Sequence, residues 1–261
     1  WGGEALLCAG GSFTRVAHIS PFALPGGERA MREPWRTAFA LLYGLFGDDA
    51  LAQAPTLCSA QEARTLGAMI QRRVNAPGTT SVGRLFDAIA ALSGLTLERA
   101  IRYEGEAAML LEQAAESAGE QEPYPFPLSK GTPASADTEP LLRAVLRDVA
   151  RGESPGVIAA RFHGALACLA EQIATRHRAS LLALSGGCFQ NALLSRMIRE
   201  RLALRGVRVA APQSFPANDG GIALGQALIA SRKLVAMRRS PPERPGASAR
   251  EGGADVLGHP R

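Results

Sequence analysis

Two glycine pairs, each between an apolar stretch and a helical pattern, constrain this chain more than any other feature. The first pair ends the run SLLALSGG, and a helical pattern begins within a few residues. The second pair lies in NDGGIALGQA and also precedes a helical pattern. Successive strand–loop–helix units predict parallel strands whose glycine loops meet at the carboxyl edge of one sheet. We therefore predict an α/β fold.

Such loops are suited to anionic ligands. A helix N-terminus presents free N–H groups and about half a positive charge, and glycine lets the main chain approach a phosphate closely. Gly186 and Gly187 are therefore candidate nucleotide-binding residues, with Asn191, which is expected one turn into the helix and whose amide can bond a ribose or base. Asp219 is a candidate ligand of a metal that bridges phosphates. The alternatives are a simple tight turn at the first pair and a helix cap at Asp219.

The rest of the chain indicates a hairpin followed by helices. Two strands around a Gly-Gly turn are predicted within residues 4–24. Apolar spacing and capping residues predict helices over about 32–47, 61–74, 83–95, 105–119 and 138–148, a long helix from Pro155 with its apolar stripe reaching Ile173, and further helices after each glycine pair. We expect one domain over 1–230, with a helical insertion at about 30–155 and a nucleotide-binding α/β part at about 156–230.

Charge and composition exclude several classes of protein. The net charge is +5, but residues 231–261 hold seven basic against three acidic residues in a sequence rich in proline and glycine. We predict that this stretch is a disordered basic tail. The remaining body is close to neutral, which disfavours nucleic acid as a partner. Without a run of about 18 apolar residues, no membrane span is predicted.

Cysteine and histidine positions give weaker indications. The four cysteines form no C-x-x-C pair, so we expect reduced thiols in a cytoplasmic protein. Cys188 beside the first glycine pair could be a thiol of lowered pKa, although a small buried hydrophobe is the preferred interpretation. For His163 we expect a partly buried histidine with satisfied hydrogen bonds rather than a catalytic base.

Distinctive motifs recur in order over about residues 1–230. They are WGGE at Trp1, RVAHI at Arg15, LPGGE at Leu24, REPWR at Arg32, TSVGRLFDAIAAL at Thr80, YEGEAAMLLE at Tyr103, ARFHGALA at Ala160, SGGCFQN at Ser185 and NDGGIALGQA at Asn218. This set resembles the C-terminal domain of the HypF carbamoyltransferases, which mature nickel–iron hydrogenases. The resemblance implies an actin-like ATPase (ASKHA) fold, here partial, shared with the TsaD family.

The resemblance also implies a chemistry. Carbamoyl phosphate and ATP would yield carbamoyl-adenylate, and the carbamoyl group would pass to the C-terminal cysteine of a HypE-like acceptor, to become a cyanide ligand of the hydrogenase iron. ATP with magnesium and a zinc or iron ion are the implied cofactors. The residues that match nucleotide-binding segments are Gly186, Gly187, Asn191, Asp87, Gly105 and Glu106. Asp219 matches a metal ligand, and no catalytic residue is assigned.

Two features of the family pattern are missing from the sequence. The metal site would also use an H-x-x-x-H pair, and a DGTGYG-type loop would precede the WGGE segment; the four histidines, His18, His163, His177 and His259, form no such pair. A lone aspartate does not make a metal site, so we expect an incomplete enzyme. The alternatives are another carbamoyl or threonylcarbamoyl transferase of the TsaD superfamily, and a non-catalytic module that docks a HypE-like partner.

Overall fold

The hairpin predicted at the N-terminus organises the first of three small sheets. The computed structural model describes residues 1–96 and 99–239. Strand β1 (Glu4–Ala9) pairs antiparallel with β2 (Ser12–Ile19) around the predicted Gly-Gly turn. On its other side β2 pairs parallel with β5 (Ala134–Ala136). The other sheets in the described residues are the antiparallel pair β3 (Phe22–Ala23) with β4 (Gly78–Thr79), and the parallel pair β6 (Leu181–Ala183) with β7 (Arg208–Ala210).

Ten α-helices occupy most of the described chain. They are α1 (Glu28–Arg32), α2 (Pro34–Phe46), α3 (Ala50–Gln53), α4 (Ala60–Arg72), α5 (Val82–Leu92), α6 (Glu106–Ala118), α7 (Thr138–Ala150), α8 (Pro155–Arg176), α9 (Ala192–Ala203) and α10 (Ile222–Arg239). Three helices begin with the caps that the sequence allows, which are Thr80 or Ser81 for α5, Asp137 or Thr138 for α7, and Ser154 for α8. The side chains of Ser81, Asp137 and Ser154 each accept a backbone N–H of the first turn.

The core is built where α2, α5, α6, α8 and α9 pack together. Leu85 and Ile89 of α5 are fully buried, as their spacing predicts, and Phe86 packs edge-on against Phe162 of α8 with ring centroids 4.9 Å apart. Helix α8 packs along α6 and against α9. The first turn of α5 lies next to residues 187–190, the short segment that leads into α9, which matters for the site described below.

Two predicted boundaries, at about residue 155 and at residue 231, do not coincide with boundaries in the structure. The stretch predicted as a helical insertion, about 30–155, also supplies β4 and β5, which complete sheets begun by β3 and β2. The core continues across residue 156, because α8 packs on α6. The predicted tail begins at 231, yet α10 continues to Arg239, so residues 231–239 are helical and that part of the prediction is wrong. The rest of the tail lies outside the described residues.

One described helix is long and apolar enough to cross a membrane by length and composition alone. It is α8, and 61% of its most apolar window is buried inside the fold. Its fully buried residues include Phe162 and His163, which contact neighbouring helices. The burial of α8 is therefore that of a core helix.

The WGGE motif has a packing role in this fold. A Cβ atom on Gly3 would overlap the carbonyl oxygen of Thr80 and lie 2.9 Å from Val82 Cγ2. The Glu4 carboxylate accepts hydrogen bonds from Arg15 and Thr80. Gly3 and Glu4 therefore hold the hairpin against the segment that starts α5.

Replacing this glycine tests that close approach. We expect Gly3→Ala to lower the free energy of unfolding by about 2 kcal/mol, because the added methyl group has no space. Gly11→Ala is the matched control, since its Cβ would meet Lys233 at an ordinary 3.7 Å. Urea unfolding measures both variants. Equal stabilities of the two variants would contradict the packing role.

Candidate functional site

The two glycine loops lie side by side at the carboxyl end of the parallel pair β6–β7. The Gly186 N–H donates to the Ala217 carbonyl over 2.6 Å, which joins the first loop to the segment that leads into the second. A Cβ atom on Gly187 would lie 3.9 Å from Cβ of Asn218. The φ angle of Gly186 is +111°, a conformation that favours glycine. The predicted meeting of the loops at one sheet edge is confirmed.

The first loop differs from the prediction in how it enters α9. A 3₁₀ turn over Gly187–Gln190 intervenes, and Asn191 is the N-cap of α9 rather than a residue inside it. Its Oδ1 accepts the Leu194 N–H over 2.7 Å. The Leu193 N–H donates to Glu112 Oε1 of α6 over 3.0 Å. Donors that the sequence suggested for an anion are therefore taken by side chains of the chain itself.

Asn191 is also buried on its other side. Its residue is 7% exposed, and its Nδ2 lies 2.9 Å from Nε2 of His163 in α8. Both ends of the amide are thus engaged within the protein. The structure places Asn191 behind the loop, as a cap; contact of its amide with a nucleotide stays a prediction.

Asp87 of α5 carries the least satisfied polar group of this region. The residue is 1% exposed, and its Oδ2 lies 2.7 Å from Arg84 Nη1 without the alignment of a hydrogen bond. Burial raises the pKa of the carboxyl to about 7; Arg84 opposes this rise and Glu104 adds to it. A buried carboxylate oxygen without a hydrogen-bond partner in the described structure is costly. It marks a position where a ligand hydroxyl could donate.

Asp87 lies near the first glycine loop. A Cβ atom on Gly83 would be 3.9 Å from Cys188 Sγ, so the first turn of α5 faces the loop. Burial raises the pKa of the Cys188 thiol to about 11, with Arg84 opposing and Asp87 adding to the rise. The interpretation of Cys188 as a thiol of lowered pKa is therefore wrong. Its thiol is half-buried and packs beside α5, whereas the preferred interpretation is a small buried hydrophobe.

The third predicted segment forms the start of α6. Gly105, with φ of +84°, precedes the helix, and the buried Glu106 folds back onto the preceding turn. The Arg102 backbone N–H donates to Glu106 Oε2 over 2.6 Å, which together with the Arg102 guanidinium lowers the pKa of this carboxyl. The carboxylate of Glu106 thus closes a turn. Contact of Gly105 or Glu106 with a ribose stays a prediction.

A cavity of about 260 Å³ lies beside this turn. It is lined by Tyr103, Met109, Leu110, Glu112, Gln113 and Glu116. Glu112 belongs both to the cavity wall and to the contact with α9 described above. The cavity therefore runs along α6, and Glu112 links its wall to the start of α9.

Asp219 lies in the second loop, within a 3₁₀ turn over Asp219–Gly221, and is exposed. The cap of this turn is Asn218, whose Oδ1 accepts the Gly220 N–H over 3.1 Å, so the alternative role of Asp219 as a cap is wrong. Within residues 1–96 and 99–239 no group of three His, Cys, Asp or Glu residues is arranged to hold a metal. The donors around Asp219 therefore do not form a metal site by themselves.

Two residues of this region escaped the sequence analysis. Arg84 lies three positions before Asp87 in GRLFDA, a helical spacing that brings the two charges together and that could have been read from the sequence. Glu112 contacts the start of α9 from 81 positions away. No local signal predicts that contact.

With this geometry in view, the comparisons with known proteins are decisive. The family profile described as "Carbamoyltransferase, Kae1-like Domain, second subdomain" matches residues 1–226. The chain belongs to the HypF carbamoyltransferase family. The α/β fold predicted above is accordingly that of a HypF Kae1-like domain.

Individual relatives give the same result. The chain is 40% identical to Carbamoyltransferase HypF of Rhodobacter capsulatus over 90% of this chain and 30% of that protein. It is 38% identical to Carbamoyltransferase HypF2 of Cupriavidus necator, over 89% and 32%. A crystal structure of full-length HypF in the phosphate- and nucleotide-bound form aligns with a TM-score of 0.80 and 35% identity, over 90% and 31%. The chain thus spans about a third of the length of these HypF proteins.

The buried Asp87 predicts a dependence of stability on pH in this HypF-family chain. Its pKa rises from 3.8 to about 7 on folding, so the unfolded chain loses this proton first, and folding stability falls as the pH rises from about 4 to about 7. We expect Asp87→Asn to remove this penalty and raise the free energy of unfolding by up to about 4 kcal/mol at pH 8. The gain should shrink steadily towards pH 4.

Urea unfolding at pH 4.5, 6 and 8 measures the effect. Asp49→Asn, at an exposed turn position, is the control with the same change of charge. A gain in stability that does not depend on pH would contradict the raised pKa of Asp87.

Proposed function

We propose that this chain is the nucleotide-binding part of an ATP-dependent carbamoyltransferase of hydrogenase maturation. Its family membership supports this, since the relatives are named carbamoyltransferases and a matched HypF structure is described as nucleotide-bound. The single structural observation that carries the proposal is the buried Asp87 carboxylate next to a glycine loop. Its Oδ2 lies against Arg84 but has no hydrogen-bond partner in the described chain.

In this proposal each part of the site has a separate task. The Asp87 carboxylate accepts hydrogen bonds from ribose hydroxyls, which would supply the hydrogen bond that its Oδ2 lacks. The loop around Gly186 and Gly187 presents backbone without side chains to the phosphates. The cavity along α6 receives the remainder of the nucleoside. Glu106 keeps the start of α6 in place through its hydrogen bond from the Arg102 backbone N–H.

The proposed transfer moves a carbamoyl group from carbamoyl-adenylate, formed from carbamoyl phosphate and ATP, to the C-terminal cysteine of a HypE-like acceptor. The acceptor sulfur bonds to the carbamoyl carbon, and the bond from that carbon to the adenylate oxygen breaks. AMP leaves, and the thiol proton passes to solvent. The resulting thiocarboxamide is the precursor of a cyanide ligand. This chain contributes the hold on the adenylate.

Magnesium with ATP, and a zinc or iron ion at Asp219, complete the proposed set of cofactors. Asp219 is exposed beside both loops, so its carboxylate is open to further ligands. A bound divalent ion would stabilise negative charge on the reacting group. Because the described residues around Asp219 do not form a metal site, the other ligands must come from another polypeptide segment.

A second candidate function follows from the donors around Asp219. Without a group of metal ligands in its described part, the chain could be a module that binds a HypE-like partner and performs no chemistry. That module would bind the partner without ATP. A TsaD-type threonylcarbamoyl transferase is less favoured, because the matched family profile is that of HypF.

Binding of ATP distinguishes these functions. We expect the chain to bind ATP, and Asp87→Asn to weaken the affinity about tenfold, since a hydrogen bond to a carboxylate contributes about 1.5–3 kcal/mol. Affinity of the wild type should rise with pH through about 7, as the carboxyl ionises. Isothermal titration calorimetry at pH 6 and 8 measures both effects, with Asp49→Asn as control. Absence of ATP binding would leave the docking module as the function.

The role of Asp219 is tested in a complete enzyme. In full-length Rhodobacter capsulatus HypF, we expect replacement of the aspartate that aligns with Asp219 by alanine to abolish carbamoyl transfer. The melting temperature should stay within about 2 °C, because substitutions at exposed positions change stability little. Thiocarboxamide formation on the acceptor, followed by mass spectrometry, is the assay. Full activity of the variant would show that the aspartate binds no essential metal.

A further inference from the structure

His163 is a fully buried polar residue whose protonation state is fixed by its neighbours. It is 0% exposed in α8, and its Nδ1 lies 2.8 Å from the Ala159 carbonyl oxygen. A carbonyl oxygen only accepts, so Nδ1 carries the proton. Nε2 of the neutral ring is therefore left as an acceptor. Burial lowers the pKa of His163, partly opposed by Ala159 and by Glu112 and Glu116, which favours this neutral form.

The acceptor on His163 determines how Asn191 is oriented. Because Nε2 can only accept, the amide nitrogen of Asn191 must face it, at 2.9 Å. The amide oxygen then points to the Leu194 N–H, at 2.7 Å. Each bond requires the other, since a rotated amide would place its oxygen against Nε2 and leave the Leu194 N–H unpaired in the core. A line of hydrogen bonds thus runs from α8 to the first turn of α9.

The glycine loop is fastened to this first turn. Ser195 Oγ donates to the Phe189 carbonyl over 2.9 Å, and the Asn191 N–H donates to the Cys188 carbonyl over 3.3 Å. The position of the 3₁₀ turn over Gly187–Gln190 therefore depends on where Asn191 and α9 begin.

The same imidazole also contacts the helix that carries Asp87. The ring of Phe86, the residue before Asp87, packs edge-on against His163 with centroids 5.3 Å apart. Phe162, beside His163, makes a similar contact with Phe86 at 4.9 Å. His163 therefore lies behind both parts of the candidate site: it packs against the turn of α5 and hydrogen-bonds the cap that precedes α9.

We propose that His163 is a positioning residue that fixes the glycine loop relative to Asp87, through its hydrogen bond to Asn191 and its packing on Phe86. The inference rests on the proposed function, because this relative position matters where one nucleotide spans both parts. It gives His163 a role that needs no contact with the ligand and no transfer of its proton.

Two substitutions separate the hydrogen bond from the packing. His163→Leu keeps an apolar side chain against Phe86 but removes the acceptor. His163→Gln can present its amide oxygen to Asn191, because Oε1 of glutamine reaches about as far along the side chain as Nε2 of histidine. Tyr124→Phe is the control; it removes a buried hydrogen bond of 2.6 Å to Asp148 of α7, in which neither the glycine loop nor α9 takes part.

Hydrogen exchange of residues 186–194 is measured first, in the absence of nucleotide. We expect His163→Leu to speed exchange of the Leu194 amide about tenfold or more, corresponding to loss of one buried hydrogen bond. His163→Gln should restore most of the protection. Tyr124→Phe should leave this segment unchanged relative to the rest of the chain. Unchanged exchange in His163→Leu would overturn the proposal.

Calorimetric titration with ATP is the second measurement. We expect His163→Leu to weaken ATP binding about tenfold and His163→Gln to recover it. The double variant with Asn191→Ala should bind no more weakly than Asn191→Ala alone, because both changes break one line of contacts. Faster exchange with unchanged ATP affinity would overturn the positioning role. If the wild type binds no ATP, the proposed function fails, and the exchange data alone decide whether His163 positions the loop.

Discussion

The hydrogen bonding at the start of α9 is the constraint on which the site depends. The first N–H groups of a helix have no partner within it, and here Leu193 and Leu194 are buried, so water cannot satisfy them. Glu112 of α6 and the Asn191 cap do so instead. Asn191 in turn needs an acceptor, which α8 supplies through His163. Three helices must therefore be in place before the glycine loop has a defined position. The loop is the outer end of a buried polar network, and at Gly186 and Gly187 it presents backbone that no side chain covers.

Asp87 shows the opposite arrangement, a buried charge that its surroundings leave incompletely satisfied. Burial without an aligned donor raises its pKa to about 7, even with Arg84 in contact. Buried carboxyl groups with such shifts are concentrated at functional sites, because strong desolvation is otherwise selected against by its cost in stability. A ligand hydroxyl would supply the missing hydrogen bond. The missing hydrogen bond thus explains both why Asp87 lowers the stability of the fold and why it could bind a ligand. Asp87→Asn tests both effects, since it should raise the stability and weaken the binding of ATP.

Local patterns predicted most elements of this fold, whereas long-range contacts decided the site. Ser81, Asp137 and Ser154 cap helices through contacts that are local enough to be predicted, because each accepts an N–H only two or three positions further along the chain. The glycine pairs correctly predicted adjacent loops. The use of Asn191 could not be predicted, since it depends on His163, which lies 28 positions earlier and belongs to another helix. The tail was misjudged at its start for a compositional reason: residues 231–239 contain neither proline nor glycine, unlike those that follow, so nothing stops α10 before Arg239.

The different burial of Asp87 and Asp219 fits a division of tasks within the proposed enzyme. A carboxylate that holds ribose hydroxyls gains from burial, because a hydrogen bond is stronger where water does not compete. A carboxylate that shares a metal with ligands from another segment must instead be reachable, and Asp219 is exposed on the loop next to Gly186. The hydrogen bond from Gly186 to Ala217 couples the two loops directly. Any ion bound at Asp219 would therefore lie beside the loop proposed to face the phosphates, so metal binding and nucleotide binding should each strengthen the other.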